Sequence, residues 1–213
     1  AAMEPFFKYY IAAWSGACLV ALALTNVSIG LVFAALWGAP FVLLVAVGIR
    51  ETSAAQASST TPALMPVWAG LIAWLVMGEV PARLRLAGYV AIIAGVVALT
   101  LNGAHTSRPP SVLGLACLIV AAASWAIYTL RFRRSGLNAV QSAALICGWS
   151  AAAFLPVYLI FGLSRLGQAS MAEIAVQAIY QGVLMSGVAI VTFNRAVALL
   201  GSGAATAVFA FLP

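Results

Sequence analysis

Uncharged, mostly apolar residues run on in this chain for much longer than a buried strand or an amphipathic helix requires. Such stretches cover roughly 9–49, 52–78, 86–104, 111–130, 138–163 and 174–194, and a last one extends from 196 to Pro213. No two-residue alternation and no polar helical face breaks them, so they read as helices that are apolar all round. A hydrocarbon core of about 30 Å takes roughly 20 residues of helix. The first stretch is too long for one crossing, and Asn26, Ser28 and Gly30 offer a break within it. The pattern therefore predicts seven complete spans and the start of an eighth at about 203–213. Both ends are expected to be abrupt, with no secretory leader ahead of the first span and a final helix that stops at Pro213.

Composition points to the same solvent. Of 213 residues, 65% are hydrophobic and 7% charged, with a mean hydropathy of +1.11. A water-soluble domain is about a quarter charged, so this chain lacks the polar residues to cover a surface in water. A bilayer makes the composition workable. The net charge of +6 is too dispersed for a nucleic-acid footprint, and no nucleic-acid partner is expected. Its placement reads instead as topology. The 79–85 connection holds Arg83 and Arg85, the 131–137 connection holds Arg131, Arg133 and Arg134, and Arg195 lies near the end of a span on that same side. Lys8, Arg50, Arg108 and Arg165 are spread singly over the other side. The arginine-rich loops 79–85 and 131–137 are thus expected to be cytoplasmic.

An internal repeat organises the spans. Ala13-Trp14-Ser15-Gly16-Ala17 matches Gly148-Trp149-Ser150-Ala151-Ala152 at an offset of 135. Ala63-Leu64-Met65-Pro66 matches Ala210-Phe211-Leu212-Pro213 at an offset of 147, and a longer loop around 162–173 accounts for the difference. The expected organisation is a first repeat at 1–104, a loop at 105–110 and a second repeat at 111–213. The span at 111–130 has no partner ahead of residue 1, and the span at 86–104 has none after Pro213. Restoring both gives five spans per copy, ten in all, of which about eight are present. An odd number of spans inserts the second copy upside down. The fold class expected is an all-α polytopic membrane protein of two inverted five-helix repeats, as in many secondary transporters.

The residues also resemble a known family. Thr61-Pro62-Ala63-Leu64-Met65-Pro66-Val67-Trp68, followed by Leu75-Val76-Met77-Gly78-Glu79, resembles the fourth-helix signature of EamA-type drug/metabolite transporters. Leu86-Ala87-Gly88-Tyr89 through Gly95-Val96-Val97 is similar to the helix that follows it. Leu113-Gly114-Leu115 through Ser124-Trp125-Ala126-Ile127-Tyr128 looks like the first helix of a second EamA repeat. The resemblance covers essentially the whole chain and is specific at the level of the superfamily. It implies alternating access around a central cavity in a bacterial inner membrane. The implied solute is a small organic metabolite, amino acids first and aromatic ones among them. Drugs, sugars and nucleotide-type solutes are alternatives, and a non-transporting membrane scaffold is a further one.

Candidate residues follow from position and chemistry. Trp14 and Trp149 occupy matching repeat positions inside spans, where an indole offers a flat apolar wall and one N–H donor. Gln56, Gln181, Tyr128 and Trp125 join them as candidate lining of a substrate cavity, because polar groups in spanning helices face the protein interior. Gln177 and Asn194 share a span with Gln181. Glu79 with Arg83 reads as a gate or a helix-end ion pair. Pro62 and Pro66, one turn apart, read as kinks whose freed carbonyls need other partners.

Enzymatic chemistry finds no support in the residues. The chain has no Asp, its four acids are all Glu, and His105 is its only histidine. Neither Trp14-Ser15-Gly16 nor Trp149-Ser150-Ala151 has the base that a serine nucleophile requires. Cys18, Cys117 and Cys147 sit in apolar runs without metal-ligand spacing, so no metal or cofactor is expected. No acid falls inside a span, which predicts facilitated diffusion or weak coupling to ions. A ten-helix unit encloses its own pathway, so a monomer is expected, with a small solute and the bilayer as partners.

Overall fold

The computed structural model describes residues 27–103, 109–162, 169–201 and 204–205. Helix accounts for 88% of them and no strand occurs among them. The chain order is α1 (Val27–Trp37), α2 (Ala39–Glu51), α3 (Ala54–Met77), α4 (Arg83–Gly103), α5 (Val112–Arg134), α6 (Ala139–Ile160) and α7 (Met171–Gln177). A π-helical segment (Ala178–Ala189) then leads without a break into α8 (Ile190–Leu200).

Helix starts are set by local chemistry. Ser53, Ser111, Asn138 and Ser170 each sit in extended backbone and accept an N–H from the residue three positions on. At Asn138 and Ser170 the third residue, Gln141 or Glu173, bonds back to the cap N–H and completes a capping box. These side chains satisfy N–H groups that have no partner within the helix. α3 stops at Gly78, whose φ of +70° turns the backbone left-handed. There the Gly78 N–H returns to the Trp74 carbonyl and the Glu79 N–H to that of Ala73.

Six helices among the described residues are long and apolar enough to cross a membrane: Val27–Glu51, Ala54–Val76, Arg83–Gly103, Val112–Arg134, Ala139–Ile160 and Met171–Leu200. The fold is that of an all-helical polytopic membrane protein. Its apolar side chains face outward: Leu75, Leu84, Val112 and Ile160 are each more than two-thirds exposed, and α4 buries no residue at all. In water this would be an aggregating surface, whereas in lipid it is the expected exterior.

The structure refines two boundaries of the sequence expectation. The first described span, Val27–Glu51, begins where Ser28 and Gly30 suggest a break, and it bends within itself at Gly38. Asn26 and the first expected span lie outside the described residues. The last described helix runs through Arg195 to Leu200 before Gly201 turns it at φ +83°. Arg195 therefore lies inside a helix, in the last part of the span Met171–Leu200.

The chain forms two compact units, residues 1–39 with 137–195 and residues 40–136 with 196–213. Each takes segments from both sides of the 105–110 loop, so compactness does not follow chain order.

In the second unit, α5 is the centre. α3 packs along it from a shared end, where the Ser111 N–H donates to the Glu51 carbonyl at 3.0 Å. α2 runs antiparallel to α5, with Gly48 against Leu118 and Phe41 against Trp125. α4 runs antiparallel to α3, with Gly70 against Tyr89 and Gln56 bonded to Thr100. In the first unit, α1 packs on α6, where a Cβ on Gly30 would lie 2.5 Å from the Trp149 indole. The Ser150 hydroxyl accepts the Ala39 N–H at 3.2 Å, covering a donor at the start of α2.

Close approach through small residues substitutes for a hydrophobic driving force that lipid cannot provide between helices. Gly114 tests this directly. A Cβ there would lie 2.7 Å from both Glu51 Cβ and Thr52 Cγ2. Gly95 has open space around it. Gly114→Val is expected to destabilise the bundle by about 1–3 kcal/mol. Gly95→Ala should leave it unchanged or gain up to about 1 kcal/mol of helix propensity. Unfolding midpoints in detergent would separate the two.

Candidate functional site

Polar side chains inside a spanning helix have few places to put their hydrogen bonds. Several threonines here use the nearest one: Thr52, Thr100 and Thr129 each donate to the carbonyl four residues back, at 2.7, 2.8 and 2.6 Å. That arrangement hides a hydroxyl without a second helix. Gln56 needs more than this. It is 5% exposed, and its Nε2 donates to Thr60 Oγ1 at 3.3 Å on its own helix and to Thr100 Oγ1 at 3.0 Å on α4. The amide thus ties α3 to α4 through a small buried polar cluster.

Thr61, next along α3, is different. It is 4% exposed and its Oγ1 has no hydrogen-bond partner. Pro62 follows it and has no N–H to offer the carbonyl of Ser58, four residues back. A helical side chain leans toward the preceding turn, so the Thr61 hydroxyl and the freed Ser58 carbonyl occupy the same level of α3. α3 itself continues through both Pro62 and Pro66 as one helix. α6 likewise carries an internal proline, Pro156.

The aromatic candidates of this unit lie on α5. Trp125 is 8% exposed and meets Phe41 edge-on at 5.9 Å between centroids. Tyr128 is fully enclosed and stacks on Phe132 at 6.1 Å.

In the other unit, Trp149 lies half-buried on α6 against Gly30, and its Nε1 is buried with no hydrogen-bond partner. Trp37 packs on Phe193 with centroids 5.2 Å apart. Asn194 is fully buried, whereas Gln177, Tyr180 and Gln181 are exposed. Gln181 lies in the π-helical segment, where its carbonyl accepts the Ser186 hydroxyl at 2.7 Å, five residues on. The Cys147 thiol reaches the Ser186 carbonyl at 3.6 Å and ties α6 to the same segment. π-helical turns are rare and disturb the regular carbonyl ladder, which gives side chains such as Ser186 and Cys147 acceptors to find.

The expected cavity residues thus divide. Gln56, Trp125 and Tyr128 belong to one unit, Trp149 and Gln181 to the other, and Trp14 lies outside the described residues. Glu79 and Arg83 are both exposed and make no ion pair with each other. Sequence reading placed Gln56 and Thr60 just before the kinking prolines but passed over Thr100. Only the Gln56/Thr60 spacing of four signalled part of that cluster, because Thr100 arrives from a different helix. No group of three or more His, Cys, Asp or Glu capable of holding a metal ion occurs among the described residues.

Comparison with protein-family models, with curated proteins and with solved structures returns no match.

The Gln56–Thr100 link makes a direct prediction. Gln56→Leu and Thr100→Val should each destabilise the α3–α4 pairing. A double-mutant cycle in detergent should give a coupling of about 0.5–2 kcal/mol, the range found for hydrogen bonds between membrane helices. Purely additive losses would mean that the two side chains do not act together.

Proposed function

We propose that the chain belongs to a secondary transporter of the drug/metabolite type, carrying a small organic solute across a bacterial inner membrane. The observation that carries this reading is a pair of buried polar groups left without protein partners inside spanning helices, Thr61 Oγ1 on α3 and Trp149 Nε1 on α6. An unmet donor or acceptor away from water is costly, so such groups serve best where water or a solute satisfies them part of the time. The resemblance of residues 61–79 and 86–97 to EamA-type helices supports the same reading. Amino acids, aromatic ones included, are the proposed solutes, because an indole wall with one N–H donor suits an amphipathic molecule.

The proposed mechanism is alternating access between two inverted repeats, with loops 79–85 and 131–137 in the cytoplasm. Every carboxylate among the described residues lies at a helix end or in a linker: Glu51 closes α2, Glu79 follows α3 and Glu173 is in the first turn of α7. None of these sits at mid-span to carry a proton, which supports facilitated diffusion or weak coupling to ions.

The test is reconstitution of the full-length protein into liposomes with labelled amino acids. Saturable flux that runs down a solute gradient without an imposed pH gradient is expected. Trp149→Ala and Thr61→Val should each lower the flux at sub-saturating solute, by roughly tenfold for an interaction of about 1.4 kcal/mol. Flux that strictly requires a pH gradient and maps to a residue of the described helices would overturn the facilitative mechanism. Flux of another metabolite class alone would keep the transporter and replace the solute.

A further inference from the structure

The helix directions in the 40–136 unit decide which charges meet. α3 and α5 start at a common end, where Gly114 abuts Glu51 and Thr52, and they run together. α4 returns antiparallel to α3. The α3–α4 linker and the last turn of α5 therefore lie at the same opposite end. Arg83, Arg85, Arg131, Arg133 and Arg134 gather there with one carboxylate, Glu79. All six side chains are exposed, and none makes an ion pair or hydrogen bond among the described residues. At the other end, among the described residues, Arg50 lies 3.7 Å from Glu51, which also accepts the Ser111 hydroxyl at 3.5 Å.

Helix dipoles do not absorb the surplus. The C-termini of α3 and α5 present roughly half a negative charge each, and the N-terminus of α4 about half a positive one. That leaves on the order of half a negative charge against five guanidinium groups and one carboxylate. Beside the arginines lies a collar of outward apolar side chains: Leu75 and Val76 at 72% exposure, Val80 at 78% and Leu84 at 86%. Guanidinium groups bind phosphate oxygens in a bidentate manner. A soluble anion would use the arginines alone, whereas a lipid also lays its acyl chains on the collar.

We propose that this arginine-rich end of the unit is a binding site for the phosphodiester headgroup of an anionic lipid, with the acyl chains against Leu75, Val76, Val80 and Leu84. The site requires only that the helices span a bilayer and is independent of what the protein transports. Clustered arginines next to a spanning helix attract anionic headgroups at about 1 kcal/mol each.

The experiment is native mass spectrometry of the full-length protein equilibrated in micelles holding equal phosphatidylglycerol and phosphatidylcholine. Retention of phosphatidylglycerol several-fold above phosphatidylcholine is expected. The triple variant Arg83→Gln/Arg131→Gln/Arg134→Gln should lose that preference by roughly tenfold or more. Arg50→Gln, at the opposite end, should keep it. Equal retention of the two lipids, or full preference in the triple variant, would overturn the proposal. Displacement of the lipid by inorganic phosphate at equal concentration would also overturn it, in favour of a soluble anion. Should the triple variant lose its helical circular dichroism, a salt titration of the unaltered protein decides. Retention should fall as ionic strength rises above about 0.15 M, where the screening length is near 8 Å, and indifference to salt would sink the idea.

Discussion

A peptide group in hydrocarbon must find its hydrogen bonds within the protein, because lipid offers none. This constraint accounts for the helical state of nearly every described residue and for how the helix ends are finished. The N–H groups that a helix cannot use internally are met by Ser53, Ser111, Asn138 and Ser170 at the starts. Gly78 turns the chain so that its own N–H and that of Glu79 return to the last carbonyls of the helix. The same constraint reaches the side chains, where threonine hydroxyls fold onto their own helix.

Once the backbone is satisfied, helices with no difference in hydrophobicity from their solvent need another reason to associate. Here it is close contact at glycine and a few shared polar groups. Gly48 and Gly114 admit neighbouring side chains on either side of the α2–α5 contact. Gln56 adds direction by linking α3 to α4 at Thr100. The prolines of α3 work against this economy. They remove donors inside a helix that keeps its course, and the unpartnered Thr61 hydroxyl lies at the level of one freed carbonyl. A protein that only needed to fold would gain by removing such a feature, which is why it carries weight in the functional proposal.

Charge is organised by a separate rule. The hydrocarbon excludes arginine from mid-span, so helix direction alone determines which ends collect the basic residues. In the 40–136 unit that rule brings three arginines from the end of α5 next to two from the start of α4, while Arg50 at the other end has Glu51 beside it. The asymmetry concerns the membrane surface and stands apart from the polar cluster of α3 and α4.

Sequence by itself determined the membrane as solvent, the helical class and the approximate limits of the spans, because each depends on local composition and the length of apolar runs. It placed α3 through α6 closely and identified Gln56 and Trp149 as polar groups inside spans. It started a span near Ser28 and Gly30 but missed the bend at Gly38, since a glycine that bends a helix and one that admits an indole look alike until the partner is known. It carried no sign of the π-helical segment, whose carbonyls are met by Ser186 and by Cys147 from another helix. Only tertiary structure joined Gln56 to Thr100 across 44 positions, enclosed Tyr128, and assigned Trp149 and Gln56 to different compact units. In lipid the apolar pattern that marks a buried face in water is uniform around each helix, and which faces meet is decided by shape and by a few polar groups that act across the fold.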